Sequence, residues 1–233
     1  MTDPLPAGES PSRAALLDAL SELLTGHRDG GVLRVAIDGP DAAGKTTLAD
    51  ELADRVGLRG RPVIRASVDG FHQPAATRRR RGSLSAEGYF HDAFDYDALR
   101  TRLLDPLRPG GDRRYQPASF DYRADTALDV PTERAPDNAV LLVDGVFLLR
   151  PELRAHWDLA IYLHISPAES LRRALDRDVE VFGSAGTVQE RYKARYLPGQ
   201  ALYRDTATPH DQAHILIDNE DPWAPRVLHW RSV

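Results

Sequence analysis

Residues 39–47 read Gly-Pro-Asp-Ala-Ala-Gly-Lys-Thr-Thr and satisfy the phosphate-binding pattern G-x-x-x-x-G-K-[ST] in full. The chemistry that this spacing serves is the grip of phosphate oxygens by backbone. Gly39 and Gly44 let the chain curl so that successive N–H groups along Pro40-Asp41-Ala42-Ala43 and beyond, Pro40 itself having none, face one anion. A helix that begins at once adds its unsatisfied amides and the positive end of its dipole. Lys45 is placed for the outer phosphates, and the hydroxyl of Thr46, followed by Thr47, for Mg²⁺. The chain has only one other lysine, Lys193. A glycine-rich turn with an exposed lysine is the plainer reading, and the surrounding pattern speaks against it. An apolar run (Val32-Leu33-Arg34-Val35-Ala36-Ile37) precedes the loop, and Leu48, Leu52 and Val56 follow at helical spacing, with a stop expected at Gly57.

Two acids stand where ligands meet open parallel sheets, beyond the carboxyl ends of strands. Asp144 ends the apolar stretch Ala139–Val143 in the form of a Walker-B element, suited to holding Mg²⁺ directly or through water. Asp69 follows the expected strand 62–68. It is the preferred carboxylate to take a proton from an attacking hydroxyl, because it is expected on a strand next to the phosphate loop rather than on it. Both acids precede a glycine, so an Asp-Gly turn is the competing reading. His72 is a possible assistant, although a lone loop histidine is more often a packing residue. Arg172, Arg173 and Arg177 fall on a helix after the fourth expected strand, either as cations for a transferred phosphoryl or as a solvated face with Asp176 and Asp178. The run Arg78–Arg81 reads first as a solvated loop and second as a site for an anionic acceptor. His210 and His214 mimic a zinc helix but lack its glutamate, and no G-x-S-x-G elbow occurs.

The elements that must position these groups follow from composition and periodicity. With 233 residues, 42% apolar and 28% charged, the chain suits one α/β domain. A net charge of −5 and a pI near 5.9 disfavour nucleic-acid binding by bulk charge. The absence of cysteine excludes disulfides and thiolate metal sites. The first thirteen residues lack the apolar segment of a secretory signal, no apolar run nears the roughly 20 residues of a membrane span, and a cytoplasmic protein is expected. A loose tail over 1–12 should lead into a domain over 13–233. Leu16, Leu17, Leu20, Leu23 and Leu24 mark a helix over 13–27; further strands are expected at 62–68, 139–143, 159–165 and 213–217. Helices are expected at 97–108 (capped by Asp97 and ended by Pro109-Gly110-Gly111), 167–181 and 187–196. Such alternation predicts a parallel β-sheet with helices on both faces. Acceptor-side insertions over 71–137, the second a small β-excursion, and a lid region over 167–204 break the rhythm.

This order of pieces resembles the uridine kinase and phosphoribulokinase family of P-loop kinases over about residues 32–220. The likeness rests on Gly39–Thr47, Asp69-Gly-Phe-His72, Asp92-Ala-Phe-Asp95, the 117–121 stretch, Val143-Asp144-Gly145, the helix bearing Arg172, Arg173 and Arg177, and the strand Ala213–Asp218. It implies a P-loop NTPase fold, ATP and Mg²⁺, and transfer of the γ-phosphoryl to a small alcohol, uridine- or cytidine-like, with self-association open. It further implies Asp69 as catalytic base, Asp144 near the metal, Arg173 and Arg177 on the phosphates, and adenine packed after Ile217. Phe71, His72 and Phe120 fall in the acceptor-side segments. Tyr89 stands where nucleoside kinases of the family keep a ribose-binding aspartate, and Asp125 or a neighbour where they keep a pyrimidine-reading histidine. Later lid arginines are replaced near Phe182 and Ser184. The donor machinery is thus retained while acceptor-reading residues change, so the acceptor need not be uridine. An ATP-binding regulator without turnover is the competing class. A GTPase is disfavoured because no Asn-Lys-x-Asp segment exists, Lys193 being preceded by Tyr192.

Overall fold

The computed structural model describes residues 5–27 and 30–231. Helix Arg13–Gly26 (α1) opens the domain, its Ser12 hydroxyl accepting the Ala15 N–H at 3.2 Å. Strand Leu33–Asp38 (β1), helix Lys45–Leu58 (α2) and strand Val63–Ser67 (β2) follow. A 3₁₀ turn, Val68–Phe71, leads into helices Ala75–Arg78 (α3), Ala86–Asp92 (α4) and Tyr96–Leu99 (α5), the last continuing into a π turn at Arg100–Leu104. Two-residue strands Arg114–Tyr115 (β3), Phe120–Asp121 (β4), Thr126–Ala127 (β5) and Glu133–Arg134 (β6) pair as two antiparallel ribbons, β3 with β6 and β4 with β5. Then come strands Val140–Asp144 (β7) and Leu159–His164 (β8), and helices Pro167–Arg177 (α6), Val179–Phe182 (α7) and Ala185–Arg191 (α8). A π turn at Tyr192–Tyr196 joins α8 to Leu197–Ala207 (α9); Pro209–Gln212 (α10), Ile215–Asp218 (β9) and Arg226–Trp230 (β10) complete the chain.

The main sheet runs β10-β9-β8-β1-β7-β2, parallel except for β10 at its edge. Side-chain alternation assigns its two faces. Val35 and Ile37 of β1, Val140 and Leu142 of β7, and Ile161 of β8 meet α1 and α2 through Leu20, Leu24, Leu48 and Leu52. Ala36, Leu141, Val143 and Tyr162 face the other way onto Phe71, Phe90, Phe147 and Tyr203. Each fully buried leucine of α2 contributes roughly 1.5–3 kcal/mol relative to an exposed one. Helices on both faces of a mostly parallel sheet are the expected α/β class, and the small β-excursion over 112–137 is present as the two ribbons.

Several expectations need correction. Asp69 does not belong to a strand next to the phosphate loop: β7 lies between β1 and β2, so Asp144 is the neighbour and Asp69 sits in the 3₁₀ turn after the edge strand. Helix α5 is capped by Asp95, which accepts the Ala98 N–H at 2.8 Å, because the Asp95 N–H is itself fixed on the Phe71 carbonyl; Asp97 is an exposed first-turn residue. Helix α2 passes Gly57 to Leu58, and the left-handed turn falls at Gly60. The segment 71–92 is not wholly a polar loop, since α4 buries Tyr89 and Phe90 against α9. Strand β10 and helix α9 have no counterpart in the sequence reading. The expected tail is partly bound: Gly8 N–H donates to the Val227 carbonyl at 2.8 Å and Val227 N–H to the Glu9 carbonyl at 3.0 Å. Residues 1–4 lie outside the described residues.

Candidate active site

The loop after β1 is shaped by four side chains that take its carbonyl groups. Lys45 Nζ donates to the Pro40 carbonyl at 2.7 Å, Ser170 Oγ to Asp41 at 2.7 Å, Arg173 Nη1 to Ala42 at 3.3 Å and Asn219 Nδ2 to Ala43 at 2.8 Å. With the Asp41, Ala42 and Ala43 carbonyls taken by side chains of other elements, the loop is held in the curl that an anion nest requires. Gly44 adopts φ 88°, which a side chain would resist, and Ala42 is held at φ 61°, a strain of about 1–2 kcal/mol. Beneath the loop, the buried Asp38 accepts N–H groups of Gly39 at 2.7 Å and Leu149 at 3.2 Å and the phenol of Tyr203. Burial raises the Asp38 carboxyl to about 6 against the pull of those bonds.

The loop opens on a cleft of about 610 Å³. Lys45, buried at the head of α2, has its ammonium pKa pulled down by desolvation, against the charges of Asp41, Asp38, Asp144 and Asp69. Thr46 Oγ1 donates to Asp144 Oδ2 at 2.7 Å, and Arg65 Nη2 donates to Asp144 Oδ1 at 3.0 Å. Strand register explains the meeting, because Asp144 lies level with Ile37 on one side and Ser67 on the other. A carboxylate beside the helix-start hydroxyl is the donor pair that Mg²⁺ takes from a protein when phosphates and water supply the rest. Among the described residues no group of three His, Cys, Asp or Glu side chains could hold a metal alone.

Across the cleft, the 3₁₀ turn presents the Asp69 carboxylate, 59% accessible within the concavity. Desolvation in the cleft raises its pKa, with His72 and Lys45 opposing and Asp144 and Asp41 reinforcing the rise. His72 Nδ1 donates to the Asp69 carbonyl at 2.9 Å, and its ring packs between Phe94 and Tyr122 at centroid distances of 4.5 and 4.7 Å. Burial lowers the His72 pKa. The second insertion reaches this wall because Ser119 N–H donates to the Gly70 carbonyl at 2.8 Å. Arg177 closes the far side, paired with Asp178 at 2.6 and 3.0 Å.

Asp41, Lys45, Thr46, Asp69, His72 and Asp144 therefore share one cleft, with Ala42, Tyr89 and Arg177 on its margin. Gly39, Pro40, Ala43 and Gly44 supply the curl rather than the lining, and Thr47 is exposed on α2. Phe71, Phe120 and Asp125 do not line it. Phe71 packs in the core, Phe120 is buried in its ribbon, and Asp125 is used by the Ala75 N–H at 2.7 Å and by Arg78 at 3.2 Å. Arg173 does not face it either: its guanidinium binds Glu169 and the carbonyls of Ala42, Asn219 and Glu220. Tyr89 points at the phosphate loop, its phenol 3.0 Å from both Asp41 oxygens. Sequence reasoning missed Ser170, Asn219, Tyr122, Arg123, Arg191 and Arg195. The last four line the cleft, and aromatic–arginine neighbours such as Tyr122-Arg123 were the available signal.

The comparisons with known proteins agree with this geometry. The chain is 26% identical over 188 residues to a uridine kinase from Halobacterium salinarum, covering 78% of each. It is 24% identical over 182 residues to the inorganic pyrophosphatase TTM2 of Arabidopsis thaliana, of which it spans 25%. A solved structure described as a possible uridine kinase from Bacillus stearothermophilus superposes with a TM-score of 0.67 at 22% identity, over 87% of this chain and 97% of that one. No helix among the described residues is long and apolar enough to cross a membrane. Residues 34–216 match the Phosphoribulokinase / Uridine kinase family, and the chain belongs to that family of P-loop kinases.

Proposed function

We propose that this chain transfers the γ-phosphoryl of ATP, with Mg²⁺, to a hydroxyl of a small alcohol acceptor, nucleoside-like or related. The observation that carries this reading is the placing of Lys45 and Asp69 in one cleft, with the Thr46–Asp144 pair beside them. The loop amides and Lys45 hold the phosphates, and Arg177 adds positive charge where the transferred group passes. Thr46 and Asp144 are the residues that would hold Mg²⁺, which when bound neutralises charge on the phosphate oxygens. Asp69 takes the acceptor's hydroxyl proton, and its raised pKa makes it a stronger base than an ordinary carboxylate. His72 orients that turn through the Asp69 carbonyl. The arginines lining the lid side favour turnover over a purely regulatory nucleotide site.

The decisive test is Asp69→Asn. Phosphotransfer should fall by a factor of about 10² or more while ATP affinity, read by calorimetry, stays similar. Full turnover in that variant would remove Asp69 from the chemistry.

A further inference from the structure

The arginine run 78–81 divides into two pairs with different tasks. Arg80 and Arg81 both bind the Asp92 carboxylate, at 2.5 and 2.8 Å. Arg78 and Arg79 instead line the cleft. Arg78 is fixed by the Gln73 carbonyl at 2.6 Å and by Asp125 at 3.2 Å, whereas Arg79 makes no ion pair among the described residues.

In the same cleft, Arg195 is only 7% exposed and has no carboxylate partner among the described residues. Its guanidinium donates weakly to the carbonyls of Ser83 and Ser85, at 3.2 and 3.3 Å, and lies 5.3 Å from the Tyr89 ring centre. Arg191 stacks on Phe182 at 4.9 Å, and its Nε is buried without a hydrogen-bond partner. Arg123 leans on Tyr122, its Nε donating to the phenol at 3.3 Å. A buried cation without a counter-charge is costly, and several converging on one concavity repel one another. Desolvation lowers the Arg195 pKa, with Arg191 and Arg78 adding repulsion.

All of these groups line the same cleft as Asp69 and His72. Arg78 and Arg195 act on His72, and Arg123 on Asp69, while the charges that dominate around Lys45 are all carboxylates. We infer that the acceptor alcohol carries its own anionic group, a phosphomonoester or a carboxylate, held by Arg79, Arg191 and Arg195 while its hydroxyl faces Asp69. Guanidinium forks fit either anion in bidentate fashion. This rests on the kinase reading for the role of Asp69, and it names the class of acceptor.

Calorimetry on the full chain, saturated with Mg²⁺ and a non-hydrolysable ATP analogue, tests it without turnover. The probes are ribose against ribose 5-phosphate, and glycerol against glycerate and glycerol 3-phosphate. At least one anionic probe should bind about tenfold or more tightly than its neutral partner. Arg79→Gln, at an exposed position, should reduce that preference by about threefold or more, and Arg195→Gln further, with affinity for the ATP analogue held within about twofold. Equal binding within every pair, failure of all anionic probes to bind, or anions that merely displace the ATP analogue would overturn the inference. A charge preference that depends on Arg79, with no phosphotransfer to the preferred probe once ATP replaces the analogue, would uphold the anionic site and overturn the kinase reading.

Discussion

The phenol of Tyr89 donates to the Asp41 carboxylate, 3.0 Å from each oxygen, so one acid of the phosphate loop is held by the acceptor-side helix α4. Gln200 of α9 reaches the same carboxylate at 3.3 Å. Gly199 of α9 packs so closely on α4 that a Cβ there would lie 2.7 Å from Tyr89 Cδ1. Tyr89 thus ties α4 to the phosphate loop.

Tyr89→Phe should therefore destabilise the fold by about 1–3 kcal/mol, since it strips a partner from a half-buried charge. Urea unfolding measures it. A change under about 0.5 kcal/mol would mean that the contact carries no weight.

Lys45→Met keeps most of the buried stem and removes the ammonium that reaches the Pro40 carbonyl. ATP affinity should drop about tenfold or more, because a charge-assisted contact to phosphate is lost. An unchanged dissociation constant by calorimetry would contradict the assignment.

Much of the donor side was legible because its chemistry restricts residue types. A backbone curled around phosphate needs glycine at set positions, and the acid that meets Thr46 shows as the polar end of an apolar strand, as at Asp144. Spatial order was less legible. Nothing in chain order announces that β7 inserts between β1 and β2, so Asp69 was expected one strand too close. Pro198 and Gly199 look like helix breakers, yet the π turn at Tyr192–Tyr196 carries the helix past the proline's missing N–H, and Gly199 permits close packing on Tyr89. Charge runs give no direction: the left-handed Gly82 and the buried Asp92 fold Arg80 and Arg81 away while Arg79 stays toward the cleft. The carbonyl holders Ser170 and Asn219 act through tertiary contacts that no local pattern encodes.

Asp69 must be ionised to accept a proton, and its pKa is raised above the ordinary 3.8. The rate should rise with pH through an acidic limb placed above that value, as kcat/KM profiles report for a base in the free enzyme. The residual activity of Asp69→Asn should lack the limb. A wild-type limb at or below 3.8 would exclude a desolvated base there.

Asp38 binds its proton more tightly when folded, with a pKa of about 6 against 3.8. The folded state then holds more protons than the unfolded one between about pH 4 and pH 6, so this group's contribution to stability falls as pH rises through that window. The stability of the wild type minus that of Asp38→Asn, from urea unfolding, should decline over the same range. A difference independent of pH would refute the shift.

The helical column that carries Arg191 and Arg195 also plants Tyr203 under β1, on the carboxylate of Asp38. It cannot tilt as a rigid lever without tearing that phenol from a closed pocket. Bending is left to the widened rungs at Tyr192–Tyr196, where the ladder is already loosened. Hydrogen exchange should then run faster ahead of Leu197 than beyond it, and uniform protection along the column would show that it moves, if at all, as one piece.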